Sequence, residues 1–435
     1  MRTPAYLLLG LTVAALVGRE AEPKFTDILP GPALEGWRGG ETFDHRELQA
    51  MTPEARAAKL AGWNTQARLH WRTEGRELIT TGKGPCLATE REYGDIEFKV
   101  DYQISPRGDS GIYLRNVPQV QIWDPEHKDA WQHGAAKGSG GLWNNTPGTR
   151  GRDPSVRADL PAGQWNKMRV RQLGERVSVW LNDTLVVDHV RLENMYNRAL
   201  PVPVTGPLLL QSHGDPVRWR NLSIREISSQ EAQVLLSQKN TEGFTDIFDG
   251  KTLTGWRGAL NGYEVQQGVL RNKPGQSGTL FTEAVYDDFT FRLEFRLPKG
   301  GNNGLALRYP GTGTPAYDGF TECQVLDDNY EAATGQKIDR RQVHGSAYGL
   351  VGAARGYQFP IGQWNFQEVT LQGTRLTVEL NGTRIIDTDL SKIDLAQSME
   401  GKKHPGLKLT EGHLGFAGHG DPVEFRNLKV KRLKK

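Results

Sequence analysis

The chain has 435 residues, a formal charge of +3 and only two cysteines, one in each half. That length accommodates two domains, each able to bury its own core. The weak net charge, with no long single-sign run, excludes a nucleic-acid-binding stripe, and Cys86 and Cys323 cannot form a disulfide framework. With 51 glycines and 11 tryptophans, the composition favours turn-rich β-structure over helix.

In chain order, Arg2 precedes an apolar run over 5–17 followed by small and charged residues. This is the pattern of an export signal, assigned to 1–21, and the run is short for a membrane span. It places the mature protein in the periplasm or outside a bacterial cell, without a membrane span. A first domain is expected over 22–228, a linker over 229–240 and a second domain over 241–435. The two are copies of one unit. Phe25-Thr-Asp-Ile matches Phe244-Thr-Asp-Ile, Gly36-Trp-Arg-Gly matches Gly255-Trp-Arg-Gly, and Gly108-Asp-Ser-Gly matches Gly301-Asn-Asn-Gly. Gly163-Gln-Trp-Asn matches Gly362-Gln-Trp-Asn, and His213-Gly-Asp-Pro-Val matches His419-Gly-Asp-Pro-Val, all in the same order.

Within each copy the strands show a period of two. Ile96, Phe98, Val100, Tyr102 and Ile104 alternate with polar residues, as do Phe289, Phe291, Leu293, Phe295 and Leu297. Such strands bury one face. Asn182-Asp183 and Asn381-Gly382 suit tight hairpins. The one strong helical segment spans 46–68, opened by Thr52-Pro53-Glu54, and has no counterpart in the second copy. Short strands, regular turns and few helices predict an all-β chain of two tandem β-sandwiches, with a helical insertion in the first. Trp165 and Trp364 are expected to pack the cores as strand starters, and both cysteines to be buried thiols.

Alternation also sorts the polar residues. Glu322 and Gln324 share one strand face, as do Gln119, Gln121 and Trp123. Arg115 and Arg308 end the strands that follow the glycine turns. If these strands pair, Arg and Glu or Gln line a face open to solvent or ligand; a surface ion pair such as Arg308–Glu322 would leave the same pattern. His213 and His419 sit in rigid Gly-Pro turns with an aspartate two residues on, a device for acid–base chemistry and for structural hydrogen bonding alike. Trp143 and Tyr348 fall at matching places and suit the apolar face of a sugar or a core. No phosphate loop, nucleophile elbow or metal-ligand spacing is present, so no cofactor is expected; a calcium ion held by a loop stays open.

These motifs resemble the bacterial 3-keto-disaccharide (3-keto-glycoside) hydrolase domain family. The resemblance is carried by Phe244-Thr-Asp-Ile-Phe-Asp-Gly, Gly301-Asn-Asn-Gly-Leu-Ala-Leu-Arg, Glu322-Cys-Gln-Val-Leu-Asp-Asp and His419-Gly-Asp-Pro-Val, with their first-copy equivalents. It implies a concanavalin A-like jelly roll and a carbohydrate substrate. It also implies cleavage by removal of the carbon-2 proton beside a 3-keto group, β-elimination of the aglycone, and hydration. Glu322, His419 and Arg308 would be the catalytic residues of the second copy. In the first, where Gln119 replaces Glu322, either His213 would be the base or the copy would bind without turning over. Gln324, Arg115, Gln119, Gln121, Trp143, Tyr348 and Asp327 would contact substrate. The alternative is a non-catalytic pair of lectin-like domains that gains avidity from its duplication.

Overall fold

The computed structural model describes residues 24–434. The proposed export signal lies outside the described residues. Each copy is a sandwich of two antiparallel sheets, as the alternation predicts, one with eight strands and one with five. In the first copy the five-stranded sheet runs in the order Trp37–Gly40, Cys86–Tyr93, Gly206–Leu210, Asp109–Leu114, Val117–Trp123. In the second it runs Trp256–Gly258, Ser277–Tyr286, Gly412–His419, Asn302–Tyr309, Thr321–Leu326. The order is the same, so the duplication extends to topology.

The cores form where the inner faces meet. Phe98, Tyr102 and Trp219 of one sheet pack against Ile112, Leu114, Val120 and Leu210 of the other. Phe291, Phe295 and Phe425 meet Leu305, Val325 and Phe416 in the second copy. Both hairpins take the turn that their residues favour, with positive φ at both central positions: 47° and 64° at Asn182-Asp183, 49° and 78° at Asn381-Gly382. The insertion forms two helices, His45–Ala50 and Pro53–His70, the second capped by the Thr52 hydroxyl. It lies against strand Trp37–Gly40, at the edge of the five-stranded sheet. Trp165 and Trp364 correct one expectation. They are half-buried outside the cores, beneath the guanidinium groups of Arg220 and Arg426 at 4.0 and 4.1 Å, where the rings form cation–π pairs. Both cysteines are free and buried.

Helix Ser229–Ser237 connects the copies. Ala232 and Leu236 pack with Leu173 and Ile227 of the first copy and Phe366 of the second. Beside it the hairpin turns of the two copies meet backbone to backbone: the Glu175 amide donates to the Gly382 carbonyl at 2.9 Å. A Cβ on Gly382 would stand 2.5 Å from the Leu173 carbonyl oxygen, so this contact needs a glycine. Glu175 is fully buried and accepts from the backbone amides of Val202 and Arg384. Arg176 pairs with the Glu379 carboxylate through two nitrogens, and Glu379 is almost wholly buried. Deleting one member of such a pair strands a charge, whereas replacing both with apolar residues does not. Arg176→Met should therefore destabilise the protein by about 3 kcal/mol in chemical denaturation, and the double variant Arg176→Met/Glu379→Leu should recover most of it. Equal losses in the single and double variants would contradict this account.

Candidate functional site

The outer face of the five-stranded sheet carries the polar residues. Ile112, Leu114, Val120 and Ile122 point into the first core, so Asp109, Gly111 and Tyr113, with Gln119, Gln121 and Trp123, point away from it. The chain leaving strand Gly206–Leu210 adds Gln211 and His213 to the same face. Together with Thr42, His133 and Trp143 these side chains line a cleft of about 410 Å³. A larger hollow of about 520 Å³ lies between the copies, lined by Arg115, Tyr357 and Asn381, but neither motif histidine lines it.

In the cleft, His213 Nδ1 stands 3.4 Å from Asp109 Oδ2. Hydrogen bonding to Asp109, reinforced by its charge, raises the imidazole above its ordinary pKa, and partial burial opposes the shift. Gln121 donates to Asp109 Oδ1 at 2.7 Å, and Gln119 donates to the Gln121 amide oxygen. The carboxylate is thus held by its neighbours, and Nε2 of His213 is the ring nitrogen turned from it. Trp143 is half-buried, its indole N–H donating to the His133 carbonyl at 2.8 Å and its ring edge-on to Trp123.

The second copy builds a similar pair from different strands. His419 Nε2 lies 3.8 Å from Glu322 Oε1. That polar contact, at this distance an ion pair rather than a full hydrogen bond, raises the His419 pKa; burial opposes it and Asp421 adds to it. The Glu322 side chain is only 5% exposed and folds across Gly304, where a Cβ would stand 2.0 Å from its Oε1. Only glycine leaves room for that carboxylate. Gln324 donates to Asn302 Oδ1 at 2.9 Å, while its own buried Oε1 has no hydrogen-bond partner.

The structure therefore brings together Glu322, Gln324 and His419 in one copy, and Gln119, Gln121, Trp143 and His213 in the other. Tyr348 borders the second site through its backbone amide, which donates to the Glu322 carbonyl. The arginines belong to neither site. Arg308 is buried and donates to Asp288 Oδ1 at 2.7 Å and to the carbonyls of Asp287 and Gly373 at 2.8 Å. Arg115 likewise donates to Asp95 Oδ1 at 2.7 Å and to the Pro203 carbonyl. The alternative, a surface ion pair between Arg308 and Glu322, does not form either: Arg308 pairs with Asp288 and Glu322 with His419. Both arginines have positive φ, 54° and 44°, which swings the side chain off the face that strict alternation assigns it. Asp327 is also displaced from its expected role: its two oxygens accept from the amides of Asn329 and Gly300, both at 2.8 Å, and so tie a turn.

Asp109, Thr42, Tyr113 and Gln211 are the residues that motif reading passes over. For Asp109 a signal exists. It aligns with Asn302, just as Gln119 aligns with Glu322. The two copies exchange acid and amide between neighbouring strands, so the first copy does not lack a carboxylate. Among the described residues no group of three or more His, Cys, Asp or Glu side chains is arranged to hold a metal ion.

A family model described as a 3-keto-alpha-glucoside-1,2-lyase-like domain matches residues 24–225 and again 243–431. A 3-keto-disaccharide hydrolase of Bacteroides thetaiotaomicron is 26% identical over 253 residues, covering 48% of this chain and 85% of that protein. Among solved structures, one assigned as a glycosyl hydrolase from Parabacteroides distasonis is 24% identical, with a TM-score of 0.38, over 48% of this chain and 99% of its own. A carbohydrate-binding module of Bacillus subtilis is 13% identical with a TM-score of 0.28, over 41% of this chain and 96% of its own. With the family model matching both sandwiches over most of their length, the chain belongs, as a tandem pair, to the 3-keto-alpha-glucoside-1,2-lyase-like domain family.

Proposed function

We propose that this protein cleaves 3-keto-glycosides outside the cytoplasm. One observation carries the reading: a histidine–carboxylate pair stands at the same place on the outer sheet face of both copies, although the carboxylate comes from a different strand in each. The carboxylate is retained beside the histidine although its source has changed, which supports a role for the pair. Acid–base chemistry is such a role. The family match and the 3-keto-disaccharide hydrolase relative support the substrate class. The apolar run over 5–17 supports export.

A ketone at carbon 3 acidifies the hydrogen at carbon 2. A base takes that proton, the electron pair forms the carbon 1–carbon 2 double bond, and the carbon 1–oxygen bond breaks. The leaving oxygen accepts a proton. Water then adds at carbon 1 and a proton returns to carbon 2, so the net change is hydrolysis. One base and one acid suffice, without the two opposed carboxylates of ordinary glycosidases. In the first copy His213 is the base, working at Nε2 while Asp109 orients it from Nδ1. In the second, the desolvated Glu322 is the base and protonated His419 the acid. Arg308 takes no part; Gln324 is the neighbouring amide that can meet the enolate oxygen.

Incubation with a 3-keto-disaccharide such as 3-keto-trehalose should release free 3-keto-glucose. Combining His213→Ala with Glu322→Gln should lower turnover by about 10²-fold or more. Unchanged turnover would refute the site, and glycan binding with no release from any 3-keto substrate would favour the lectin-like alternative.

The two pairs also predict opposite pH limbs. His213 must be neutral to act, so activity remaining in Glu322→Gln should rise with pH through a value above the ordinary imidazole pKa of about 6.5. Asp109→Asn should move that limb to lower pH. His419 must be protonated, so activity remaining in His213→Ala should fall as pH rises through its own raised value. Matching pH–rate profiles in the two variants would contradict the assignment of roles.

A further inference from the structure

The cleft of the first copy runs across the sheet. From strand Val117–Trp123 to strand Gly206–Leu210, whose continuation carries Gln211 and His213, there are two strand spacings, about 10 Å, and Thr42 lies beyond them. One pyranose ring does not bridge that width, and two do. Trp143 stands at one edge, beside Trp123, and the Asp109–His213 pair and Gln121 occupy the middle. At the far edge, where the helical insertion begins, Thr42, Tyr113 and Gln211 form a polar cluster that the mechanism above does not use.

Its hydrogen bonds leave defined vacancies. The Gln211 amide nitrogen donates to the Tyr113 hydroxyl at 3.0 Å, and that hydroxyl shares one hydrogen with Thr42 Oγ1 at 2.8 Å. Whichever of the two hydroxyls donates, the hydrogen of the other stays unassigned. The buried Gln211 Oε1 has no partner at all. One spare donor and one spare acceptor match a sugar hydroxyl, which offers both. The second copy has nothing equivalent. Strand register places Ala306 and Ala417 where the first copy has Tyr113 and Gln211, and Phe281 where it has Ala88. Phe281, Ala306 and Tyr309 form an apolar cluster there.

We infer that Thr42, Tyr113 and Gln211 form a subsite for the leaving sugar of a disaccharide, so that the first copy selects a hydroxyl-bearing leaving group over an apolar one. This rests on reading the cleft as a 3-keto-glycoside site. The reacting ring lies between Trp143 and His213, and the second ring lies over the cluster. The second copy, lined by alanines and Phe281, makes no such selection.

The test uses the full chain carrying Glu322→Gln, so that turnover reports the first copy. KM and kcat are measured for 3-keto-trehalose and for 4-nitrophenyl 3-keto-glucoside, with and without Tyr113→Phe or Gln211→Ala. Each variant should raise KM for the disaccharide by up to about tenfold, the worth of one hydrogen bond, and leave the aryl substrate and kcat unchanged. Equal changes for both substrates, or none, would overturn the subsite. If neither substrate is cleaved, the catalytic reading fails on its own, and the subsite is judged by titrating 3-keto-trehalose against tryptophan fluorescence. Binding weakened by Tyr113→Phe then sustains the subsite. Binding unaffected by that change, or no binding at all, rejects it.

Discussion

Each sandwich is tied together by one buried ion pair. Arg115 and Arg308 leave the five-stranded sheet at the end of a central strand and reach an aspartate at the start of a strand in the opposite sheet, in both cases at 2.7 Å. The same aspartate oxygen accepts from a glycine amide, Gly174 or Gly373, in the turn of the next hairpin. One carboxylate therefore fixes the sheet spacing, the hairpin turn and the strand end together. Buried and multiply bonded, the pair contributes more to geometry than to net stability, because desolvating two charges offsets much of their attraction. What it fixes is the position of strands Asp109–Leu114 and Asn302–Tyr309, whose opposite ends carry Asp109 and Asn302 into the sites.

This tie also explains where the sequence misleads. Period-two alternation holds only while every residue keeps extended backbone angles. It reads Gln119, Gln121, Glu322 and Gln324 correctly because their strands stay regular. It misplaces Arg115 and Arg308 because a positive φ at each turns the side chain through the edge of the sheet and into the interior. A positively charged residue beside a glutamate in a matched motif resembles a substrate clamp, and nothing local to the motif reveals that an aspartate some twenty residues upstream already claims it. The tryptophans after Gly-Gln fail for a related reason. Their rings precede a regular strand, and outside the core a stack of arginines replaces the apolar partners they were expected to find.

Other parts were legible because each rests on a short-range rule. The hairpin turns follow from Asn-Asp and Asn-Gly, the helical insertion from Thr-Pro-Glu, and the two-sandwich architecture from the ordered repeat and its alternating strands. The comparison of copies says more still when it is made position by position. Taken alone, Gln119 against Glu322 suggests that the first copy has lost its acid. Taken with Asp109 against Asn302, the same comparison shows an exchange, which only the pairing of adjacent strands makes meaningful.

That exchange constrains how the two sites came to differ. On a sheet face, neighbouring strands lie about 4.8 Å apart, so a carboxylate moved from one to the next remains within reach of a histidine anchored by its Gly-Asp-Pro turn. The histidine then meets its acid through a different ring nitrogen: Nδ1 for Asp109, Nε2 for Glu322. In one copy the free ring nitrogen is Nε2, turned from Asp109. In the other the buried carboxylate lies beside Nε2 itself, and in both copies the acid raises the imidazole pKa. A single acid–amide swap, permitted by the sheet and by the glycine beneath Glu322, is enough to change which ring nitrogen meets the acid while the scaffold stays the same.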